Sequence, residues 1–524
     1  MELLNNKKQK SFVEDKKIFK WWDYPVFIFL TILTLSAIFY FFYHWFSLTD
    51  FFLYPICYSI ITFILLIVLV NNQGKWFLLL FMKKPEPMSV KSNLKVAAVT
   101  SFVPEAESYE MLEQTLTALI ALDYSHDTWV LDEGDCDRVK KLCQQLEINH
   151  FSRKEYSQYQ TDNGTFQSCS KHGNYNAWLY SIGFDRYDII SAFDPDHIPE
   201  KNFLCRVLGY FEDPNIGYVQ AAQAYYNQKA SFIARGAAEE TYAYYSSVQM
   251  ASYSMEFPII IGSHNTHRVA ALKQVGGFAA HDADDLLITL LYRDHGWKGV
   301  YVPEILAKGL TPVDWDGYLT QQRRWARSVL DVKFRLYPKV SGNLNLKSHI
   351  MGFLHGLNYL HKSFIIFLGL ILMIFMLAYG ISPMGFSQQF LTKFAILYGT
   401  LQVCEFYRQR FYLNPRREWG LHWRVALLQY AKWLYFMLAF FDVFFNRKIS
   451  YMLTKKIKTK NRSYKLLWIN LIIIVLICIA WTFGFVSGRI TNPFLHFGAA
   501  LTVSASLLLI LTERINFPEP YDKQ

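Results

Sequence analysis

Several acidic clusters and one aromatic-basic run in this chain could do chemistry. Asp194-Pro-Asp196 follows the apolar run Asp188-Ile-Ile-Ser-Ala-Phe. Two carboxylates two residues apart at a strand end can share one hard divalent cation, Mg2+ or Mn2+, which bridges to a diphosphate and offsets leaving-group charge. A surface Asp-Pro-Asp turn looks the same, so the pair alone does not fix a metal. Asp132, followed by Glu133, ends a second apolar run, Thr128-Trp-Val-Leu. Asp284 and Asp285 open an amphipathic segment rich in Leu. Acids there cap a helix and offset its dipole, and one of them can also take a proton from an attacking hydroxyl. In Gln321-Gln-Arg-Arg324-Trp325, Arg324 can pair with phosphate oxygens and Trp325 offers a face for a pyranose ring. A Trp/Arg belt beside a bilayer is the competing reading.

The elements that must position these groups are legible in the periodicity. Residues 95–101 read as a buried strand, 110–121 as a helix and 128–131 as a second strand, a βαβ start that predicts a mostly parallel sheet flanked by helices. Ligands in such sheets collect at the C-terminal strand ends, where Ser101, Glu105 and Asp132 fall.

That α/β segment is set between apolar blocks. Of 524 residues, 52% are hydrophobic and 18% charged, a balance tilted away from soluble proteins. Windows of about 20 apolar residues predict spans over 24–45, 51–70, 364–379, 390–406, 466–486 and 493–511. Basic residues orient them: the arm with Lys7, Lys8 and Lys10, the segment 408–424 and the stretch 447–465 belong on the cytoplasmic side. A further apolar segment, 425–445, carries Lys432 and Asp442 and is read as an interfacial helix. The organisation expected is therefore a basic arm (1–23), two spans (24–71), a cytoplasmic catalytic domain (72–345), then four spans with a loop at 446–463 (346–524). The net charge of +10 suits anionic lipid, and without helix-turn-helix, RRM or zinc-finger spacing no nucleic-acid partner is expected. Seven cysteines without CxxC spacing predict reduced thiols.

Taken in order, Asp132, Asp194/Asp196, Asp285 and Gln321-x-x-Arg324-Trp325 resemble the D, DxD, (T/E)D, QxxRW signature of processive family 2 glycosyltransferases, which include cellulose, hyaluronan and chitin synthases. Ser170-Lys171-His-Gly-Asn-Tyr-Asn176-Ala resembles the family's AKAGNxNxA, whose Lys lies near the nucleotide diphosphate. Tyr218-Val-Gln220-Ala-Ala-Gln223 resembles VQTPQ, which lines the acceptor side. Gly262 to Arg268 is similar to the G(T/S)xxxxR element, and Gly296-Trp297 to the GW that follows the base-bearing helix; counting back from it favours Asp285 over Asp284 as the base. Tyr451-Met-Leu-Thr454-Lys455-Lys456 resembles FxVTxK, a loop that closes over the donor in cellulose-type enzymes. The chain departs from the pattern at Asp132-Glu133-Gly134 for DDG and at Ala283-Asp284-Asp285 for TED, and its first strand ends in Ser-Phe-Val-Pro-Glu105 in place of PTYNE.

The resemblance implies a GT-A-type domain and an inverting transfer from a UDP-sugar. Asp285 serves as base, Asp132, Glu133, Lys171, Asp194, Gln321 and Arg324 bind the nucleotide sugar, and Asp194 and Asp196 hold the metal. Trp325, Gln220 and Gln223 meet the growing glycan. Phe-Asp-Pro-Asp-His-Ile-Pro is closer to FDADHVP of cellulose-type enzymes than to VDSDT of hyaluronan and chitin types. It points to UDP-glucose and a β-glucan exported across the plasma membrane, with accessory export proteins as partners. A UDP-N-acetylglucosamine polymer or a glycolipid is the alternative product.

Overall fold

A computed structural model describes residues 12–47, 50–104, 106–381, 387–447, 467–489 and 492–512. Glu105, the stretch with Thr454, Lys455 and Lys456, and residues 1–11 of the basic arm lie outside the described residues.

The chain enters through a helical hairpin, α1 (Asp23–Phe46) and α2 (Pro55–Phe77). Proline at the start of α2 costs nothing, because the first N–H of a helix has no partner. Several polar groups of the hairpin pair across it, as a lipid environment favours. Trp45 Nε1 donates to Thr62 Oγ1 at 2.8 Å near the turn, and Trp76 Nε1 donates to Thr31 Oγ1 at 2.8 Å near the other end. Short strands Asp15–Lys17 and Lys83–Pro85 pair antiparallel and close the hairpin's base.

The central domain is built on eight strands: β1 (Val96–Phe102), β2 (Asp127–Asp132), β3 (Asn149–Phe151), β4 (Ile189–Phe193), β5 (Ile198–Pro199), β6 (Ile216–Tyr225), β7 (Asn265–Arg268) and β8 (Lys298–Gly309), in the order β3-β2-β1-β4-β7-β6-β8-β5. β1 to β4 pair in parallel, as do β6 and β8. β7 runs antiparallel to both its neighbours and β5 antiparallel to β8, so the sheet is more mixed than the opening βαβ pattern suggests. The register shift in β8 falls around Pro303, which has no N–H to give the ladder.

Side chains alternate across the sheet with the period of two that strands impose. Val99, Trp129, Leu131 and Ile190 pack on one face with Tyr175, Trp178 and Tyr292. Ala98, Val130, Ile189 and Phe193 pack on the other with Leu112, Leu116 and Phe203. The flanking helices start on side-chain caps. Ser108 Oγ accepts from Met111 N at the head of α3 (Tyr109–Ile120), Ser170 Oγ from Gly173 N at α4 (Lys171–Trp178) and Ser231 Oγ from Ala234 N at α5 (Phe232–Thr241). α6 (Asp284–Asp294) begins with the paired acids, and α7 (Trp315–Asp331) is capped by Asp314.

The C-terminal part comprises α8 (Leu357–Tyr379), α9 (Gln388–Gln409), α10 (Trp423–Phe444), α11 (Trp468–Val486) and α12 (Pro493–Thr512). Among the described residues, six helices are long and apolar enough to cross a membrane: α1, α2, the helical run ending in α8, α10, α11 and α12. The chain is a multi-pass membrane protein. The membership differs at one place from the sequence expectation. α9, with Lys393, Glu405 and Arg408, is too polar by composition to be counted, whereas α10 qualifies. α10 is also the most buried of the six, with 56% of its most apolar stretch inside the molecule. It packs on α7 and α5 of the central domain as well as on α8. Gly236 of α5 makes that approach possible, since a Cβ there would come within 2.9 Å of Leu428 on α10.

Candidate active site

Three parallel strands deliver their C-terminal ends to one rim. Phe102 stands opposite Asp132 in the register and Thr100 opposite Phe193, so Asp132 and Asp194 flank the end of β1. The fully buried Asp132 carboxylate accepts from Gly134 N at 3.0 Å and Cys136 N at 2.6 Å, with His150 Nε2 at 3.3 Å. It thereby shapes the loop that forms the rim. Gly134 is required there, because a Cβ would lie 2.5 Å from Pro104.

Glu133 does something other than the nucleotide binding expected from sequence. It forms a two-pronged ion pair with the wholly buried Arg153, at 3.0 and 2.7 Å, and accepts from Cys169 N. Arg153 in turn donates to the carbonyls of Tyr159, Phe166 and Gln167, so the pair holds the loop preceding α4. Replacing Arg153 by Met leaves Glu133 poorly solvated and unpaired. It is expected to cost about 3–5 kcal/mol, read as a fall in Tm that the double variant R153M/E133Q largely recovers.

α4 sets its first turn on the rim. Asn174 Nδ2 donates to Leu131 O at 3.1 Å, and Tyr175 OH bridges to Val99 O and Phe193 O, both at 3.2 Å. These contacts pin the helix to β2, β1 and β4. Lys171, three and four residues earlier on the same helix face, projects Nζ to 2.5 Å from both Asp194 Oδ1 and Gly262 O. Burial works against its charge, but Asp194 and Asp284 outweigh burial and raise the Lys171 pKa. Asn176 holds both N and O of Phe278. Gly277, at φ +98°, sits so close to that amide that a Cβ would meet Asn176 Oδ1 at 2.3 Å.

Asp194, Asp196 and His197 bring their ligand atoms within 4.8 Å of one another. Asp196 also accepts from Leu310 N, and His197 Nδ1 lies 3.2 Å from Asp196 Oδ1. Two carboxylates and an imidazole in this arrangement fit a divalent cation such as Mg2+ or Mn2+. His197 was not anticipated from sequence; its signal is its place directly after the acidic pair. Gln223, expected on the acceptor side, instead places Nε2 3.1 Å from His197 Nε2.

Opposite Lys171, the head of α6 presents Asp284 and Asp285. Both line a small cavity with Lys171, Gly262, Asn265 and His267. Burial, then the neighbouring Asp284 charge, pushes the Asp285 carboxyl up to about 7. Burial likewise raises Asp284, against the pull of Lys171 and His172. The two acids face different company. Both feel Lys171 and Asp194, but only Asp284 is also drawn by His172, and the Asp285 charge acts on Tyr244 and Tyr359. His267 is held neutral by burial, its pKa lowered to about 3.

Behind this cavity, residues 259–263 are braced by buried amides and a hydroxyl. Gln220 accepts from Ile261 N at 2.8 Å and donates to Ser263 O at 3.3 Å, Gln249 bonds Ile259, and Thr289 Oγ1 accepts from Ile260 N. Gln220 is thus sealed in the sheet and supports the Gly262 carbonyl, rather than facing an acceptor as expected. Arg268 braces the turn before β6 through the carbonyls of Phe211, Asp213 and Ile216.

α7 carries the aromatic-basic run. Gln321 is buried, while Arg324 and Trp325 are half-buried. Arg323 pairs with Asp442 of α10 at 2.7 Å, and Arg327 lies 3.7 Å from Asp282, just before the paired acids. The structure therefore gathers Lys171, Asp284 and Asp285 around one cavity, with Asp194 paired to Lys171 and Asp132, Asp196 and His197 on the same rim.

Residues 97–328 match the family model described as "Glycosyltransferase like family 2". Among curated proteins, the chain is 24% identical over 278 residues to a UDP-forming cellulose synthase catalytic subunit of Xanthomonas axonopodis, covering 51% of this chain and 36% of that one. It is 30% identical to a beta-monoglucosyldiacylglycerol synthase of Synechocystis, covering 40% and 43%. It is also 30% identical to a probable glucomannan 4-beta-mannosyltransferase of Oryza sativa, covering 43% and 39%. The chain thus spans less than half the length of these relatives. Among solved structures, a mannosyltransferase of Pyrobaculum calidifontis, in complex with GDP-Man and Mn2+, superposes with a TM-score of 0.52 at 14% identity, covering 75% of this chain and 99% of that one.

The sheet with its acids at one rim defines the class, a GT-A-type glycosyltransferase fold joined to membrane-capable helices. Within that class, residues 97–328 match the family 2 glycosyltransferase model, and over that part the chain is similar to cellulose synthase catalytic subunits.

Proposed function

We propose that this protein is a processive, inverting glycosyltransferase that builds a β-linked glycan from a UDP-sugar, with UDP-glucose the donor, and passes it across the plasma membrane from a cytoplasmic catalytic domain. One observation carries the reading: a carboxyl held near neutrality at Asp285 faces, across one cavity, the Lys171–Asp194 pair at the strand ends. A base with a pKa of about 7 is half ionised at working pH and strong enough to accept a hydroxyl proton. In the reaction the acceptor oxygen forms the new bond to the anomeric carbon, its proton goes to Asp285, and UDP departs with the electrons of the broken bond. Lys171 places a cation where the diphosphate charge develops. Asp194, Asp196 and His197 would hold the divalent cation, which when bound offsets the charge on the departing UDP. Asp284, beside Lys171, belongs to the donor side, and Trp325 stacks under the acceptor end.

The chemistry of the cellulose synthase relatives supports a polymer, and that of the Synechocystis glycolipid synthase marks the alternative product. Full-length protein in proteoliposomes with radiolabelled UDP-glucose and Mg2+ or Mn2+ separates them. A high-molecular-weight product inside sealed, inward-delivering vesicles is the expected result. Label confined to the lipid fraction, or incorporation only from UDP-N-acetylglucosamine, would replace the glucan reading.

A further inference from the structure

A buried polar node joins the central domain to α10. Glu240 of α5 accepts from Tyr318 OH through Oε2 at 2.6 Å, and its Oε1 is shared by Lys432 Nζ and Gln429 Nε2 of α10. Lys432 Nζ also donates to Tyr318 OH and to Gln322 Oε1, both at 3.1 Å. Tyr318 is fully buried and Lys432 is 1% exposed. Two carboxylate oxygens thus hold three helices: α5, α7 and α10.

Tyr318, Gln322 and Trp325 follow one another at i, i+4 and i+7 along α7, and so share one helical face. The Trp325 ring stands one turn beyond the last contact of the node. Burying a charged pair among helices that already have an apolar interface gains little stability, and hydrophobic residues of the same volume serve as well or better. Phe232, Ala237, Leu319, Leu428 and Tyr435 already supply such an interface. What directed polar contacts add is register: apolar surfaces slide past one another, whereas a carboxylate shared by Tyr318 and Lys432 permits one axial position.

We infer that Glu240 and Lys432 are positioning residues that set the axial register of α7, and through it the height of Trp325 relative to Asp285. The inference rests on the proposed glycan synthase reading. Its signature is transfer that goes to water instead of to the acceptor, because the donor side at Lys171 and Asp194 does not touch the node.

The test uses full-length protein in proteoliposomes with UDP-glucose and, separately, UDP-N-acetylglucosamine. Free sugar released by hydrolysis and sugar incorporated into product are measured together, with product length and Tm. For Glu240→Gln and Lys432→Met, incorporation is expected to fall about tenfold and product length to shorten. Hydrolysis per folded molecule should stay close to wild type, so the ratio of transfer to hydrolysis drops. The charge-swapped double variant E240K/K432E should recover part of the ratio. Should the single variants fail to fold, the apolar pair E240L/K432M keeps the interface packed and should fold while showing the lowered ratio. An unchanged ratio in any folded variant overturns the inference. The wild-type product tests the other reading separately: if it is a glycolipid, the polymer assignment falls while the ratio still judges the node.

Discussion

Asp285→Asn is expected to lower transfer by about 10²–10⁴-fold, the range lost with a general base, while UDP-sugar binding measured by calorimetry is retained. Asn keeps the shape of Asp285 and can still accept from Leu286 N, as the carboxylate Oδ1 does at 2.7 Å. The pH profile of the wild type follows from the same group. Its pKa is raised from 3.8 to about 7, so kcat/KM should climb with pH up to about 7 and level off above it. The stability effect has the opposite sign. The folded protein keeps a proton that the unfolded chain has lost, so stability declines as pH rises from about 4 to about 7 and stays reduced above. Asp285→Asn removes that cost and should raise stability at pH 8 by about 1–2 kcal/mol, allowing for partial exposure and the Asp284 neighbour. At pH 4 the substitution should be close to neutral. A variant that is inactive, binds donor and melts higher at pH 8 matches this account. One that retains more than a tenth of the activity shifts the base role to Asp284.

The second large effect belongs to the Asp194–Asp196–His197 cluster. Chelation with EDTA should abolish transfer, and Mg2+ or Mn2+ should restore it. Asp196→Asn should lose about 10³-fold, a few kcal/mol of charge stabilisation, with no rescue at high metal concentration. His197→Ala is expected to be milder, with metal affinity lowered about 10–100-fold and activity recovered by excess Mn2+. Equal loss in both variants would indicate that Gln223, 3.1 Å from His197, and the packing against Gly309 matter more than ligation. The sheet edge there is tight, since a Cβ on Gly309 would come within 2.3 Å of His197 Nε2.

The parts of this site legible in sequence were those whose chemistry depends on residue type and local position. Asp132, Asp194 and Asp285 stand directly after strand or before helix patterns, and the period of two or 3.6 locates them. Lys171 was legible only through the motif around it, although its i, i+3, i+4 relation to Asn174 and Tyr175 gives that motif its reason. What sequence did not reveal was direction. Gln220 and Gln223 stand three apart on β6 and so point to opposite faces, yet nothing local says that Gln220 turns to Ile261 and Ser263 while Gln223 meets His197. Glu133 reads like its neighbour Asp132, and only the partner 20 residues later, Arg153, turns it into a loop brace. The antiparallel β7 was also out of reach, because a four-residue strand between longer segments carries no orientation signal. Along the membrane, Lys432 and Asp442 marked α10 as unusual. Their partners, Glu240 and Arg323, show why: the helix reserves its polar residues for the central domain.

The packing of α10 also bears on how the protein can be divided. A fragment ending near residue 345 keeps the whole sheet and all the rim acids, yet loses the surface that covers Phe232, Ile233, Ala237 and Leu319. It also leaves the Glu240 carboxylate and the Arg323 guanidinium without the opposite charges they meet on α10. Bare apolar area bordered by widowed charges invites self-association. The central domain therefore relies on α10 for part of its packing. The layer of core over α5 and α7 is supplied by helices that follow in the chain, so this surface is sealed only once α10 has been made and has packed on it.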